Sequence, residues 1–256
     1  MESRVLTSSE LMDKIVGALR EKTPLSVVSI GATESFVIAQ YTILSEEEFM
    51  NHPEAKIANQ GEKSGFFHRG VRFPNGKLRD EVVEAIRNAD IVGYNTLIRS
   101  NDAGLLTERA FAAYGIKPKY IFESYLRRVF MFSQKEKFEQ MLMGRKILLI
   151  GSPAQQAKHA LNRNLRPQLG FDIVGTISID EYEDLPEAKK QIDCREFDLC
   201  LLAAGTNAVI LASYISTVHG KVAFDIGSGM NSFFTGEVYS DFWLENLIGL
   251  PNLLKM

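Results

Sequence analysis

Five short apolar runs, each closing on a glycine, constrain this chain more than any other feature. They read S-V-V-S-I-G (26–31), D-I-V-G (90–93), K-I-L-L-I-G (146–151), D-L-C-L-L-A-A-G (198–205) and K-V-A-F-D-I-G (221–227). Runs this short, apolar at successive positions, suit strands covered on both faces. Stretches of helical spacing separate them. Leu11, Ile15, Val16 and Leu19 share one face after a cap at Thr7, Ser8 or Ser9, and Pro24 closes that helix. Further helices are expected at 34–41, Lys77–Ala89, Thr107–Tyr114, 155–162, Leu185–Ile192 and 207–218, with helical spacing also over 125–142. Two more strands are expected at K-Y-I-F-E-S (119–124) and F-D-I-V-G-T-I-S (171–178). This alternation predicts an α/β fold of Rossmann-like type, a mostly parallel sheet with helices on both faces. The 256 residues read as a single domain, 1–256. Met143-Gly144-Arg145 is the place where sub-lobes 1–143 and 144–256 divide.

Bulk properties narrow the class. A net charge of −3 with 24% charged residues gives no general affinity for nucleic acid. Glu2, Arg4, Glu10, Asp13 and Lys14 interrupt the first residues, so no secretion leader is expected, and no window is apolar enough to span a membrane. A cytoplasmic setting with reduced thiols follows. Cys200 sits in an apolar run and Cys194 just before it, with no metal-ligand spacing around either.

In such sheets ligands bind outside the carboxyl ends of the strands. The strand ends here deliver Gly31 and Glu34; Gly93, Tyr94 and Asn95; Gly151 and Ser152; Gly205, Thr206 and Asn207; and Asp225, Gly227 and Ser228. Glycines let a ligand approach the backbone, and the helix N-termini beyond them favour an anion such as a diphosphate. Each position also has a plainer reading: turn chemistry for the glycines, a helix cap for Asn207, backbone amide bonding for Asp225. Together they point to a nucleotide-like ligand. The G-x-G-x-x-G fingerprint and a Walker lysine are absent; G-S-G at 227–229 follows the last strand. Arg69, Arg72 and Arg79, near His68 and Lys77, form either a grip for a phosphate or sugar acid or a solvated basic face. The acids Glu46, Glu47 and Glu48 suit a helix start. Residues 233–256 are apolar and aromatic for a tail, and either pack on their own domain or support a homodimer.

The block S-V-V-S-I-G-A-T-E-S-F-V-I-A-Q resembles the opening of the GT-D-fold glycosyltransferases, a bacterial family of nucleotide-sugar enzymes. So, in order, do L-R-D-E-V-V-E-A-I-R-N-A-D-I-V-G, G-R-K-I-L-L-I-G, F-D-L-C-L-L-A-A-G-T-N-A-V-I-L and G-K-V-A-F-D-I-G. The resemblance covers roughly residues 7 to 230. It implies sugar transfer, glucose being the known type, from a UDP-sugar donor to a glycan or glycoprotein acceptor. It also implies a divalent metal, Mn or Mg, held near the diphosphate by an Asp-x-Glu pair. The family block Arg-x-Gly-Asp-Gly-Glu falls on Ser29, Ile30, Gly31, Ala32, Thr33 and Glu34, so Gly31 and Glu34 match while the arginine is Ser29 and the aspartate Ala32. Glu34 is then the expected catalytic acid and sole retained metal ligand, an exposed residue whose removal leaves stability nearly unchanged. Gly31, Thr33, Arg79, Asn95, Gly151, Gly205, Asn207, Asp225 and Gly227 are the expected nucleotide-sugar contacts. The missing aspartate leaves three readings: a transferase with an altered or metal-independent site, a non-catalytic nucleotide-sugar binder or scaffold, and another Rossmann-like transferase such as a methyltransferase. Asn95 in place of an acid at the second strand end counts against the last.

Overall fold

The structure is a computed structural model that describes residues 3–60 and 70–256. His68 and Arg69 lie outside the described residues. The apolar runs form strands β2 (Leu25–Ile30), β3 (Ile91–Tyr94), β5 (Lys146–Gly151), β7 (Leu199–Ala203) and β8 (Val222–Asp225). They are joined by β1 (Arg4–Val5), β4 (Tyr120–Glu123) and β6 (Asp172–Ile177). All eight lie in one sheet in the order β1-β4-β3-β2-β8-β7-β5-β6. Every pairing is parallel, with Val27 beside Ile91 on one side and beside Phe224 on the other.

The central strands are largely apolar because both faces are covered. Val28, Ile30, Leu148, Ile150, Cys200 and Leu202 point into one core, while Val27, Ile147, Leu149, Leu199 and Leu201 point into the other. The first core is roofed by helices Ala32–Ala39, Gly76–Arg87, Gly104–Tyr114, Leu185–Asp193 and Thr206–His219, the second by Ser8–Glu21, Lys135–Leu142 and Ala154–Asn164. The helix Thr206–His219 is buried almost all round, with every residue from Ala208 to Ala212 inside, which matches its lack of a polar stripe.

Local signals set the ends. Thr7 is the cap for the first long helix, accepting from the Glu10 amide while Glu10 returns to the Thr7 amide. Lys22 then stops it in the left-handed conformation. The 125–142 stretch is broken into a 3₁₀ turn at Ser124–Arg128, a short helix at Phe130–Ser133 and the helix Lys135–Leu142. Residues Leu244, Ile248 and Leu253 of the tail pack into the second core. Both cysteines are free; burial pushes the Cys200 thiol well up. Among the described residues no helix is long and apolar enough to cross a membrane.

Candidate functional site

Strand order decides where a site can form. The helices following β2 and β7 cover the first core, whereas the helix after β5 and the segment after β8 cover the second. The chain therefore leaves neighbouring strands in opposite directions and opens a crevice at their carboxyl ends. Two cavities lie there. The first, of about 400 Å³, is bounded by Glu34, Arg127, Ser152, Pro153, Gln156 and Asp225, with Gly205, Gly227 and Ser228 beside them. The second, of about 660 Å³, includes Thr33, Glu54, Asn95, Tyr125, Asp241 and Trp243 on its walls. Glu34 and Arg127 line both.

Glu34 reaches this place through the start of its own helix. Gly31, at the end of β2, caps the helix but has no side chain to do so. Glu34 folds back instead, and its Oε2 accepts from the Gly31 amide at 2.9 Å. Its Oε1 accepts from the Thr206 hydroxyl at 3.3 Å. The residue is 7% exposed, so the expected solvent-exposed acid is a buried one with a structural duty as well. Phe36 anchors the same helix, stacked on Phe49 with ring centroids 4.1 Å apart, and Ser35 ties it to Thr107 at 2.6 Å.

Arg127 arrives from the 3₁₀ turn after β4. Its Nη1 donates to Asp225 Oδ2 at 3.2 Å, and the Gly227 amide donates to Asp225 Oδ1 at 3.1 Å. Asp225 is 2% exposed. Burial pushes its carboxyl up to about 7; the Arg127 guanidinium opposes that shift and the Glu34 charge adds to it. The G-S-G after β8 is the seat for this arginine. A side chain at Gly227, which has φ +50°, would come within 2.5 Å of Arg127 Nη1, and one at Gly229 would strike the Arg127 carbonyl. Gly31 is also close to the guanidinium: an added Cβ there would lie 3.9 Å from Nη2.

Of the residues expected from the sequence, Glu34, Gly205, Asp225 and Gly227 meet at the first cavity, and Gly31, Thr33 and Asn95 at the second. Asn95 accepts from the Ser124 hydroxyl, and Thr33 lies 3.4 Å from Glu54. Gly151 does not line either cavity, although Ser152 after it and Ala203 beside it line the first; its close approach to the Ala203 carbonyl leaves no room for a side chain. Asn207 is buried, with its amide nitrogen near Gly70. Arg79 is not brought in: it bonds the Gln40 carbonyl and Asp80, at the far end of the helix that Glu34 begins. Nothing in Y-L-R-R, with its helical spacing and no motif, marks Arg127 as a site residue. The available signal was a basic residue just past a strand end, answered by small residues after the last strand.

The fit of a divalent metal can be judged from the donors. A hard cation needs several oxygens. Position 32 offers only a methyl group, both Glu34 oxygens already accept hydrogen bonds, and Asp225 faces a guanidinium. Among the described residues no group of three or more His, Cys, Asp or Glu gathers at ligand distance. These residues do not fit a bound metal.

The sequence model of a family described as a GT-D fold-like domain matches residues 6–233. Several solved structures share the fold. One is described as a highly conserved domain of unknown function 1792 with a distinct glycosyltransferase fold, at 15% identity, TM-score 0.58, covering 94% of this chain and 84% of that one. Another is a new glycosyltransferase of the same domain type from Streptococcus sanguinis, at 17% identity, TM-score 0.56, covering 94% and 88%. No curated protein matches the sequence. Residues Tyr239–Trp243, which wall the second cavity, lie beyond the matched region.

Proposed function

The chain belongs to the GT-D-like family, and on that premise we propose that it transfers a sugar, of glucose type, from a UDP-sugar to a glycan or glycoprotein acceptor. The observation that carries the proposal is the meeting of two cavities at Glu34 and Arg127 on the carboxyl rim of the central strands.

The first cavity suits the donor. The helices Ala154–Asn164 and Thr206–His219 both begin at its edge, at Pro153 and Gly205, and their N-termini favour a diphosphate. The second suits an acceptor. Phe242 and Trp243 offer flat apolar faces to a sugar ring, while Arg128, ion-paired with Asp241 at 2.8 Å, lies over the rings of the buried Tyr125 and of Tyr239. The anomeric carbon then sits at the shared edge. There the acceptor oxygen bonds to it as the bond to the diphosphate breaks with its electron pair. The hydroxyl proton passes to the Glu34 carboxylate and on to solvent. Titration calorimetry with UDP-glucose, followed by an assay for free UDP in the presence of candidate glycans, tests this reading. Failure to bind any nucleoside diphosphate overturns it.

A second reading has its own support. Glu34 accepts from Gly31 and Thr206, and Ala32 supplies no acid, which favours a non-catalytic nucleotide-sugar binder. Binding without release of UDP favours that one.

A further inference from the structure

We propose that Arg127 takes the place of the divalent cation, neutralising the donor diphosphate directly. The inference rests on the nucleotide-sugar reading above and adds what holds the leaving group.

Among the described residues the rim of the sheet gathers too few oxygens for a metal, yet it carries a positive charge at the same spot. Among the described residues lining the first cavity, Arg127 is the cationic one. Its side chain is 16% exposed, so the charge works in a partly dehydrated setting where it is felt more strongly than in water. It makes one described hydrogen bond, to Asp225. A guanidinium has further N–H donors in a planar fork that matches phosphate oxygens, and these remain for a ligand. Two glycines keep space for it, Gly227 against the guanidinium and Gly229 against its backbone. An arginine with a purely structural role needs its carboxylate; it does not need a place on the walls of two cavities.

In the transfer, the bond between the anomeric carbon and the β-phosphate oxygen breaks and the electron pair stays with the diphosphate. The added negative charge falls on the oxygens that face Arg127 and the two helix N-termini. Electrostatic stabilisation of a leaving group by fixed donors needs no metal.

Titration calorimetry with UDP, and with GDP, ADP and dTDP as alternatives, decides the matter when run in excess EDTA and again with manganese. The expected result is binding of equal strength in both. Arg127→Gln then weakens diphosphate binding by roughly tenfold or more, the scale of a charge-assisted contact, while uridine binding is unchanged and Arg127→Lys recovers part of the loss. Arg127→Gln leaves the buried Asp225 without its cation and risks misfolding, so Asp225→Asn provides an independent arm. It leaves the arginine in place without its competitor, and UDP should bind several-fold tighter in EDTA. Unchanged or weaker binding by Asp225→Asn overturns the inference. Binding that requires manganese overturns it too, while leaving the nucleotide-sugar reading intact. No binding of any diphosphate in either condition overturns the reading itself and the inference with it.

Discussion

Arg127 Nη1 lies 3.2 Å from Asp225 Oδ2, and that contact ties the turn after β4 to the end of β8 across the two strands between them. Both side chains line the first cavity, and Arg127 lines the second as well. A buried pair of this kind contributes little net stability, because dehydrating both ions offsets their attraction. Its value here is positional: it holds a guanidinium at the rim where a donor's diphosphate would lie.

Stability should depend on pH through Asp225. Its carboxyl is raised from 3.8 to about 7, chiefly by burial. Between those values the folded chain holds a proton that the unfolded chain has released. Stability from this group is therefore greatest below pH 3.8, falls as pH rises to about 7 and is flat above. Every tenfold gain in proton affinity on folding is worth about 1.4 kcal/mol, so the whole change is a few kcal/mol. Urea midpoints measured at steps across this range should fall more steeply for the native chain than for Asp225→Asn. Equal slopes would show that Asp225 is not raised.

Glu34→Ala should destabilise by about 1–2 kcal/mol, since it removes a helix-end hydrogen bond and leaves the Thr206 hydroxyl without its acceptor. Glu34→Gln keeps an oxygen for one of these bonds and should melt within a few degrees of the native chain. Yet it should lower transfer by roughly a hundredfold if the carboxylate accepts the acceptor's proton. The two variants separate folding duty from chemistry; a transfer rate unchanged in Glu34→Gln would remove Glu34 from the reaction.

Ala32→Asp should raise manganese affinity measurably above that of the native chain. Position 32 is exposed at the wall of the second cavity, and a carboxylate there would join Glu34 in a two-acid set. The new acid also lies in the first turn of its helix, where the dipole favours it by about 0.3–1 kcal/mol. Calorimetry with manganese in the presence of UDP reads the first effect and thermal melting the second. No gain in manganese binding would place position 32 outside the site.

Much of this architecture is legible in the residues themselves. Five apolar runs become strands because continuous burial on two faces leaves no room for alternation, and Gly31, Gly205 and Gly227 fall on the cavities because strand ends in a parallel sheet share one rim. What could not be read was long-range. Arg127 and Asp225 are 98 residues apart, and nothing local to Y-L-R-R shows that the first of its two arginines would turn inward. Arg79 shows the opposite case: it has local appeal near other basic residues, but its helix carries it to the Gln40 carbonyl. Glu34 lines both cavities at the strand ends, but its burial beside Thr206, from a distant helix, has no local signal.

The tail supplies the last prediction. Phe242 is 68% exposed, lines the second cavity and lies beyond the region matched by the family. A side chain so exposed supports little core, so Phe242→Ala should leave the melting temperature nearly unchanged. The proposed reading puts the donor in the first cavity, so UDP affinity should also stay the same. If the aromatic wall holds the acceptor's sugar ring, the variant should raise the acceptor KM by roughly tenfold, in line with the loss of one aromatic contact, while slow hydrolysis of the donor by water continues at the native rate. Trp243→Ala, whose ring packs partly against the second core, should show the same kinetic change together with some loss of stability. A fall in donor hydrolysis equal to the fall in transfer would mean that the tail acts on the donor, and the division of the rim into two sites would have to be redrawn.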